Sequence, residues 1–296
     1  MTAKKIIVIL GQTASGKSEM AVRLAKKFKG EIVSADSRQV YRKMDIGTGK
    51  ITQKEMKGVH HCLLNIANPK RRFTVAQYRK LAIRAIKAIL KKEKTPILCG
   101  GTGFYIQAII DGIILPEVKP DQRLRLSLNK LKAEELFEKL KKLDPRRAKT
   151  IEKKNKRRLI RALEIIIKTK KAVPKLKSKP LPYPVLIIGI KREKEELRKL
   201  IEKRFFKWLK QGLIKEVENL RRLGLSWKRV EEFGLHYFQV SQYLQKKITY
   251  QKMTENSLRE LNNYAKSQLT WFKRDKKIIW VKDYKTAEKL TKKFLR

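Results

Sequence analysis

The chain has 296 residues, 42% of them hydrophobic, enough to bury at least one sizeable core in one large domain with an insertion or in two smaller domains. Seventy-five Lys and Arg stand against 28 Asp and Glu, a formal net charge of +47. Charge of that density repels itself in a compact state and is most economically explained by a polyanionic partner: RNA, DNA or an anionic membrane surface. The alternative is a lysine-rich surface with no partner. The longest apolar runs, IIVIL and VLII, are too short to span a bilayer, so no membrane segment is expected. Only Cys62 and Cys99 are present, neither in a C-x-x-C, which argues against a disulfide framework and fits a reducing cytoplasm.

The N-terminal MTAKKIIVILG has a leader's charge pattern, but five apolar residues before a glycine fall short of a secretory core, so KIIVIL is expected to be a first buried strand. SEMAVRLAKKF (18–28) has helical spacing, EIVSAD reads as a second strand, and FTVAQYRKLAIRAIKAILKK as a helix. TPILCGG is a third strand and GFYIQAIIDG a helix stopping at Gly112. This βαβα order predicts a doubly wound parallel α/β sheet. After Pro116 the segments QRLRLSLNKLKAEELFEKLKKL and KRRLIRALEIIIKTKK read as amphipathic helices on or over that sheet. VPKLKSKPLPYP, with four prolines, is expected to be a loop, and VLIIGI restores a buried strand. From Lys191 to about Lys266 only helices are expected, before KKIIWV offers a last short strand. The implied organisation is an α/β core over 1–190 with a helical excursion at 116–143, a helical insertion over 191–265 and a returning C-terminal segment over 266–296.

GQTASGKS fits G-x-x-x-x-G-K-[ST], with a strand before it and a helix after it. In such a loop Gly11 and Gly16 let the backbone turn successive N–H groups inward, and the helix adds its positive N-terminal end. Lys17 supplies a mobile charge and Ser18 a hydroxyl for a metal ion. Nucleotide hydrolysis normally needs a further carboxylate at the end of a core strand, and TPILCGG and VLIIGIK end without one. Asp36, after EIVSA, is the acidic residue at a strand end. It reads equally as a base acting on an acceptor and as a turn cap or water-mediated metal holder. Thr102, in GGTG at another strand-to-helix turn, can hydrogen-bond a phosphate or an attacking group, while the glycines there could be simple turn formers. Arg157 or Arg158 and Arg161 lie three or four residues apart on one helix face, a spacing for a diphosphate clamp or for a solvated basic face. His60, His61 and Cys62 are adjacent. Their side chains alternate in an extended segment, so they are not expected to converge on a zinc ion and are read as orienting a loop near the site. NNYAKSQLTWFKRDKKIIW combines Tyr264, Trp271 and Phe272 with Lys266, Lys273 and Arg274, as in segments that stack unpaired bases. The competing reading is one packed stripe of Tyr264, Ala265, Gln268, Leu269 and Phe272.

The ordered set GQTASGKS, SADSRQVYRKMDIGTGK, VHHCLLNI, FTVAQY, PILCGGTGFYIQAI, RRLIRALEI and YAKSQLTWFKRD resembles the tRNA dimethylallyltransferase (isopentenyltransferase) family of bacterial type, from about residue 7 to about 280. The resemblance implies a P-loop fold with a helical insertion embracing the anticodon arm of tRNA. It implies that the dimethylallyl group of dimethylallyl diphosphate is moved, with Mg²⁺, to the exocyclic amine of the adenosine just 3′ of the anticodon, in tRNAs reading codons that begin with U. The donor diphosphate would lie on Gly11, Gln12, Thr13, Ala14, Ser15, Gly16, Lys17 and Ser18, with Arg158 and Arg161. Asp36 matches the family's base and Thr102 its site threonine, with Lys17 the third catalytic group. Asp36, Ser37, Arg38, Gln39, Arg157, Arg158, Arg161, Lys266, Gln268, Trp271 and Lys273 would meet tRNA. Two departures concern tRNA grip. His236 replaces the basic residue of the family's G-Y-[KR]-[EQ] element, near Gly234 and Tyr243, and Ser267 replaces the arginine of YAKRQ. A monomeric cytoplasmic enzyme is expected. The alternatives are a P-loop kinase acting on a nucleoside or RNA end, which predicts ATP turnover, and a non-catalytic RNA-binding protein, which would tolerate loss of Lys17 and Asp36.

Overall fold

The computed structural model describes residues 4–114, 116, 118–174 and 177–296. The chain forms two compact units, one of residues 1–111 with 180–296 and one of residues 112–179.

In the first unit β1 (Ile6–Gly11) runs into α1 (Lys17–Lys27), followed by β2 (Gly30–Ser34), the short α2 (Gln53–Met56), β3 (His61–Cys62), α3 (Val75–Lys91), β4 (Thr95–Gly100) and α4 (Gly103–Ile110). α2 and α3 each start on a capping box, Thr52 with Glu55 and Thr74 with Gln77, so two orphan N–H groups at each start are satisfied within four residues. The second unit opens on β5 (Ile113–Ile114), continues through α5 (Gln122–Lys130), α6 (Ala133–Leu143), α7 (Pro145–Thr150) and α8 (Lys156–Thr169), and closes on β6 (Lys177–Ser178), antiparallel to β5. The first of the two amphipathic segments expected after Pro116 is thus two helices. It breaks at Lys132, whose N–H the Glu135 carboxylate accepts at 2.7 Å. The loop expected over VPKLKSKPLPYP contains β6 at its centre; Lys175 and Leu176 lie outside the described residues. Back in the first unit come β7 (Val185–Ile190), α9 (Lys194–Lys210), α10 (Leu213–Arg222), α11 (Trp227–Glu231), α12 (Leu235–Leu244), α13 (Tyr250–Phe272), β8 (Ile279–Val281) and α14 (Tyr284–Leu295).

The central sheet has the order β3-β2-β4-β1-β7-β8 and every pairing is parallel. Residues alternate faces along a strand, so β1 feeds two cores. Ile6, Val8 and Leu10 pack with residues of α3, α4, α9, α12 and α13, while Ile7 and Ile9 pack with α1 and Ala287 of α14. The organisation differs from expectation in two ways. The excursion is longer than 116–143: residues 112–179 hold their own core, in which Leu136, Leu140, Leu159 and Leu163 meet, with α8 packed on α5 and α6. Residues 191–265 are not a separate body either, because Phe205, Trp208, Tyr237 and Leu261 belong to the same core as β1. Among the described residues no helix is long and apolar enough to cross a membrane.

Candidate active site

The functional groups collect where parallel strands end and helices begin. β1 stops at Gly11 and α1 starts at Lys17, with Gly16 as N-cap in the left-handed region (φ 92°), a conformation a side chain would strain. The first-turn N–H groups of α1 have no side-chain cap, as an anion site requires. Lys17 Nζ folds back over the loop and donates to the Gln12 carbonyl at 2.7 Å, and Arg192 Nε donates to the Ser15 carbonyl at 3.2 Å. Burial is the main reason that the Lys17 ammonium is pushed down to about 8; Cys99 and Asp36 act in the opposite sense, and Arg204 adds to the depression. Ser18 is exposed on the first turn, with its hydroxyl free to meet a ligand-borne cation.

Sequence reasoning did not single out Arg204. From α9 its guanidinium donates to Thr13 Oγ1 and lies over the Trp208 ring at 4.7 Å. Burial lowers it to about 10, while Asp36 pulls the other way. The only hint in the sequence is the i,i+4 pairing with Trp208, one among many basic residues on a basic helix.

Asp36 lies just beyond β2. Its Oδ1 accepts from the Arg38 amide at 2.8 Å and the Gln39 amide at 3.3 Å, which fixes the carboxylate and leaves Oδ2 for an acceptor. It therefore caps its turn, as one of the two sequence readings expects, through only one of its two oxygens. Thr102 Oγ1 accepts from the Ser37 amide at 3.0 Å, and the Thr102 amide donates to the Ala35 carbonyl at 3.1 Å, so GGTG clips onto the segment carrying Asp36. Gly100 is required there, since a Cβ would collide with the Ala35 carbonyl. The Tyr264 hydroxyl joins Thr102 and Gln268, and burial together with Asp36 holds it well above the usual phenol range.

α13 locks the phosphate loop from the side. Gln12 Nε2 donates to the Ala265 carbonyl at 3.0 Å, the Thr13 amide donates to Gln268 Oε1 at 2.7 Å, and Gln268 Nε2 donates to the Gly101 carbonyl at 2.8 Å. Gln268, expected at the RNA, is buried and both ends of its amide are used in this brace. Ala265, Gln268 and Phe272 form the buried stripe of the helix, whereas Lys266 and Lys273 are exposed. Trp271 is half-buried over Gly103, edge-on to Phe104 at 6.4 Å between centroids. Ser267 is exposed and bonds back to the Asn263 carbonyl at 2.9 Å. His236 is buried against Trp208 and Tyr237, and burial pulls it down to about 3, so at neutral pH it is an uncharged packing ring.

The segment after Asp36 is braced by groups the sequence does not advertise. Gln39 Nε2 donates to the Thr48 and Gly49 carbonyls at 3.3 and 3.2 Å. The buried Glu216 accepts from the amides of Asp45 (2.6 Å), Ile46 (2.7 Å) and Gly47 (3.0 Å) and from the Tyr237 hydroxyl (2.7 Å). Arg38 Nε donates to the Phe233 carbonyl at 3.0 Å.

In the second unit α8 carries the predicted arginine face. Arg161 donates to Glu164 Oε2 at 2.5 Å and to the Val118 carbonyl at 3.0 Å, Arg158 pairs with Glu152 at 3.4 Å, and Arg157 is exposed. His61 and Cys62 pair with Ile32 and Val33 of β2, and three residues after Cys62 the Asn65 amide donates to the Gln39 carbonyl at 3.3 Å, so the chain leaving this segment meets the one that follows Asp36.

A parallel sheet whose first strand runs through a phosphate loop into α1 defines a protein of P-loop-like fold. The family described as IPP transferase matches residues 39–275. The tRNA dimethylallyltransferase of Thermoanaerobacter sp. (strain X514) is 39% identical over 99% of this chain and 97% of its own length. The crystal structure of the full-length tRNA isopentenylpyrophosphate transferase of Bacillus halodurans superposes with a TM-score of 0.73 at 36% identity, covering 99% of this chain and 95% of that one. A eukaryotic dimethylallyltransferase acting on tRNA shares the fold, with a TM-score of 0.79 at 24% identity over 99% of this chain and 77% of its own. The chain belongs to the IPP transferase family.

Proposed function

We infer that this protein is a tRNA dimethylallyltransferase that moves the dimethylallyl group of dimethylallyl diphosphate onto the exocyclic amine (N6) of the adenosine 3′ to the anticodon in tRNAs reading codons that begin with U. The observation that carries the reading is a phosphate loop on which two half-buried cations meet, Lys17 at the Gln12 carbonyl and Arg204 at Thr13 Oγ1, in the field of one backbone-anchored carboxylate, Asp36. Cations held below their ordinary values lack an anion, and a diphosphate supplies one.

In the reaction the amine lone pair forms a bond to the allylic carbon, the carbon–oxygen bond breaks and diphosphate leaves with the bonding pair. The amine is a weak nucleophile, and Asp36 Oδ2 takes its proton as the bond forms. Charge grows on the leaving oxygen, where Lys17, Arg204 and the first-turn amides of α1 stabilise it. Thr102 holds the backbone that carries Asp36 and stands beside it as a polar contact for the acceptor. The donors here fit Mg²⁺ only as a ligand-borne ion. Ser18 offers one oxygen, and a magnesium ion that keeps several waters and binds diphosphate oxygens needs little more from the protein. When bound, it would neutralise charge on the diphosphate. Exposed Lys266 and Lys273 and half-buried Trp271 are the α13 groups placed to meet RNA, and the unpaired target base costs only stacking to extrude. The enzyme would work in the cytoplasm as a monomer.

The test is to mix purified protein, Mg²⁺ and unmodified tRNA with either dimethylallyl diphosphate or ATP, then digest and weigh the nucleosides. An adenosine heavier by one dimethylallyl group, with the first donor only, is the expected result. ATP consumption without a prenylated nucleoside would replace this reading with a kinase, and tight tRNA binding without either with a binding protein.

A further inference from the structure

The edge of the central sheet carries a second cluster of chemical side chains, distinct from the groups of the site above. Parallel register sets Ile32 of β2 beside His61 of β3 and Val33 beside Cys62. Side chains on a strand repeat every two residues, so His60 and Cys62 share a face, and the register places Glu31 laterally beside His60 on that face. Alternation keeps His61 away from the other two: its Nδ1 pairs with the Val59 carbonyl at 2.8 Å. The same rule that prevents three adjacent residues from converging therefore brings the first and third together.

His60 Nδ1 is the centre of the cluster. It lies 3.2 Å from Glu31 Oε2 and 3.6 Å from Cys62 Sγ, and the three ligand atoms all lie within 4.8 Å of one another. Zinc bonds of about 2.0 Å to nitrogen and oxygen and about 2.3 Å to sulfur, at the tetrahedral angle, space a nitrogen and an oxygen ligand ~3.3 Å apart and a nitrogen and a sulfur ~3.5 Å apart. The two separations from the imidazole match those tetrahedral edges, and the carboxylate and the thiol lie within 4.8 Å of each other. The carboxylate is also oriented from behind. Lys94 Nζ holds Glu31 Oε1 at 2.8 Å, and Lys92 Nζ reaches Oε1 and Oε2 alike at 3.4 Å, which leaves Oε2 the oxygen nearer the imidazole, at 3.2 Å. A hydrogen-bonded outer shell of this kind fixes the direction of a metal's carboxylate ligand. Glu31 is buried, Cys62 half-buried and the His60 side chain exposed, so a fourth position opens to water.

We propose that Glu31, His60 and Cys62 bind a borderline-soft divalent cation of the zinc class, with water as fourth ligand, pinning the edge strand β3 to β2. One thiolate, one imidazole and one carboxylate suit zinc, while magnesium and calcium prefer oxygen alone. On binding, the Cys62 thiol releases its proton to solvent as the sulfur–metal bond forms, and no electron changes hands. Asp36 lies five residues beyond Glu31 and three beyond Val33, the neighbour of Cys62, roughly 17 and 10 Å for extended chain, so none of the three ligands is among the groups of the transfer site.

The full chain, freed of metal, would be titrated with Co²⁺ while the thiolate-to-cobalt charge-transfer absorption is read, and then competed with Zn²⁺. One cobalt per chain, a charge-transfer band, its displacement by Zn²⁺ and its persistence in Cys99→Ser are expected. Cys62→Ser should lose the band. His60→Ala, a change at an exposed side chain that leaves the fold intact, should weaken binding by more than the ~10–100-fold that outer-shell changes cause. The proposal is overturned if the wild-type chain shows no band, if the band survives Cys62→Ser or vanishes in Cys99→Ser, or if His60→Ala binds as tightly as the wild type. Failure of the transferase assay would leave each of these outcomes unchanged.

Discussion

Two clusters of buried charge in this molecule are opposites. In the second unit, the fully buried Glu164 carboxylate takes Arg125 through two bonds at 2.8 and 2.7 Å, Arg161 at 2.5 Å and the Asp121 amide at 2.7 Å; these partners outweigh its burial and draw it down to about 2. In the first unit, Lys17 and Arg204 have no comparable anion and are both pushed down by burial. The first cluster is complete and serves the stability of its unit. The second is incomplete: Asp36 offsets part of the cost of its half-buried cations, and an arriving anion would offset more. Arginine spacing on a helix does not separate the two cases, whereas the presence or absence of a carboxylate between the arginines does.

The comparison can be broken most sharply at Asp36. Asp36→Asn keeps an acceptor for the Arg38 and Gln39 amides but removes the base, and transfer should fall by ~10²–10⁴ while tRNA affinity stays within a few-fold. Full turnover in a single-turnover assay would remove Asp36 from the reaction. Next comes Glu164→Gln, which leaves two arginines without their anion and should cost the second unit about 3–5 kcal/mol in denaturant unfolding. Because the folded value of Glu164 lies below its unfolded one, its contribution is fully present above the unfolded carboxylate range and is lost as pH falls toward about 2. An unchanged acid limb in Glu164→Gln would mean that the cluster is not the anchor described here.

Arg204→Met should lower transfer by roughly 10²–10³ if the cation meets the leaving diphosphate. A loss of stability with unchanged kinetics would make it a packing residue against Trp208. Lys17 gives a smaller effect with a distinctive sign. Its folded value of about 8 lies below that of an unfolded lysine, so the ligand-free fold carries a buried-cation penalty below about pH 8 that is relieved as pH rises. Lys17→Met should therefore melt slightly higher at neutral pH while binding donor diphosphate more weakly. Donor affinity of the wild type should fall as pH rises through about 8, a step the variant lacks. The smallest effect belongs to Arg158→Ala, whose exposed pair with Glu152 should contribute less than about 0.5 kcal/mol to thermal stability.

Local patterns in the sequence determined much of this protein: the strand, phosphate loop and helix from Ile6 to Lys27, the alternation of strands and helices to Ile110, and the order of motifs that marks the family. They could do so because a glycine turn, a capping box and a period of two or 3.6 are enforced within a few residues of chain. Asp36 and Thr102 were legible for the same reason, each standing at a strand end where a parallel sheet presents its ligand groups. Tertiary structure alone decided what the long-range partners do. Nothing near Arg204 in the chain says that it reaches Thr13, 191 residues away, nor does the sequence say that Gln268 is a brace between Thr13 and Gly101 and not an RNA contact. The same holds for Arg161, whose face looked free until Glu164 and the Val118 carbonyl were found beneath it, and for His60, which gains Glu31 only through the register of two parallel strands. Burial and partner choice are set by packing between segments distant in the chain, and a residue's charge becomes structural or functional only once that packing has supplied or withheld its counterpart.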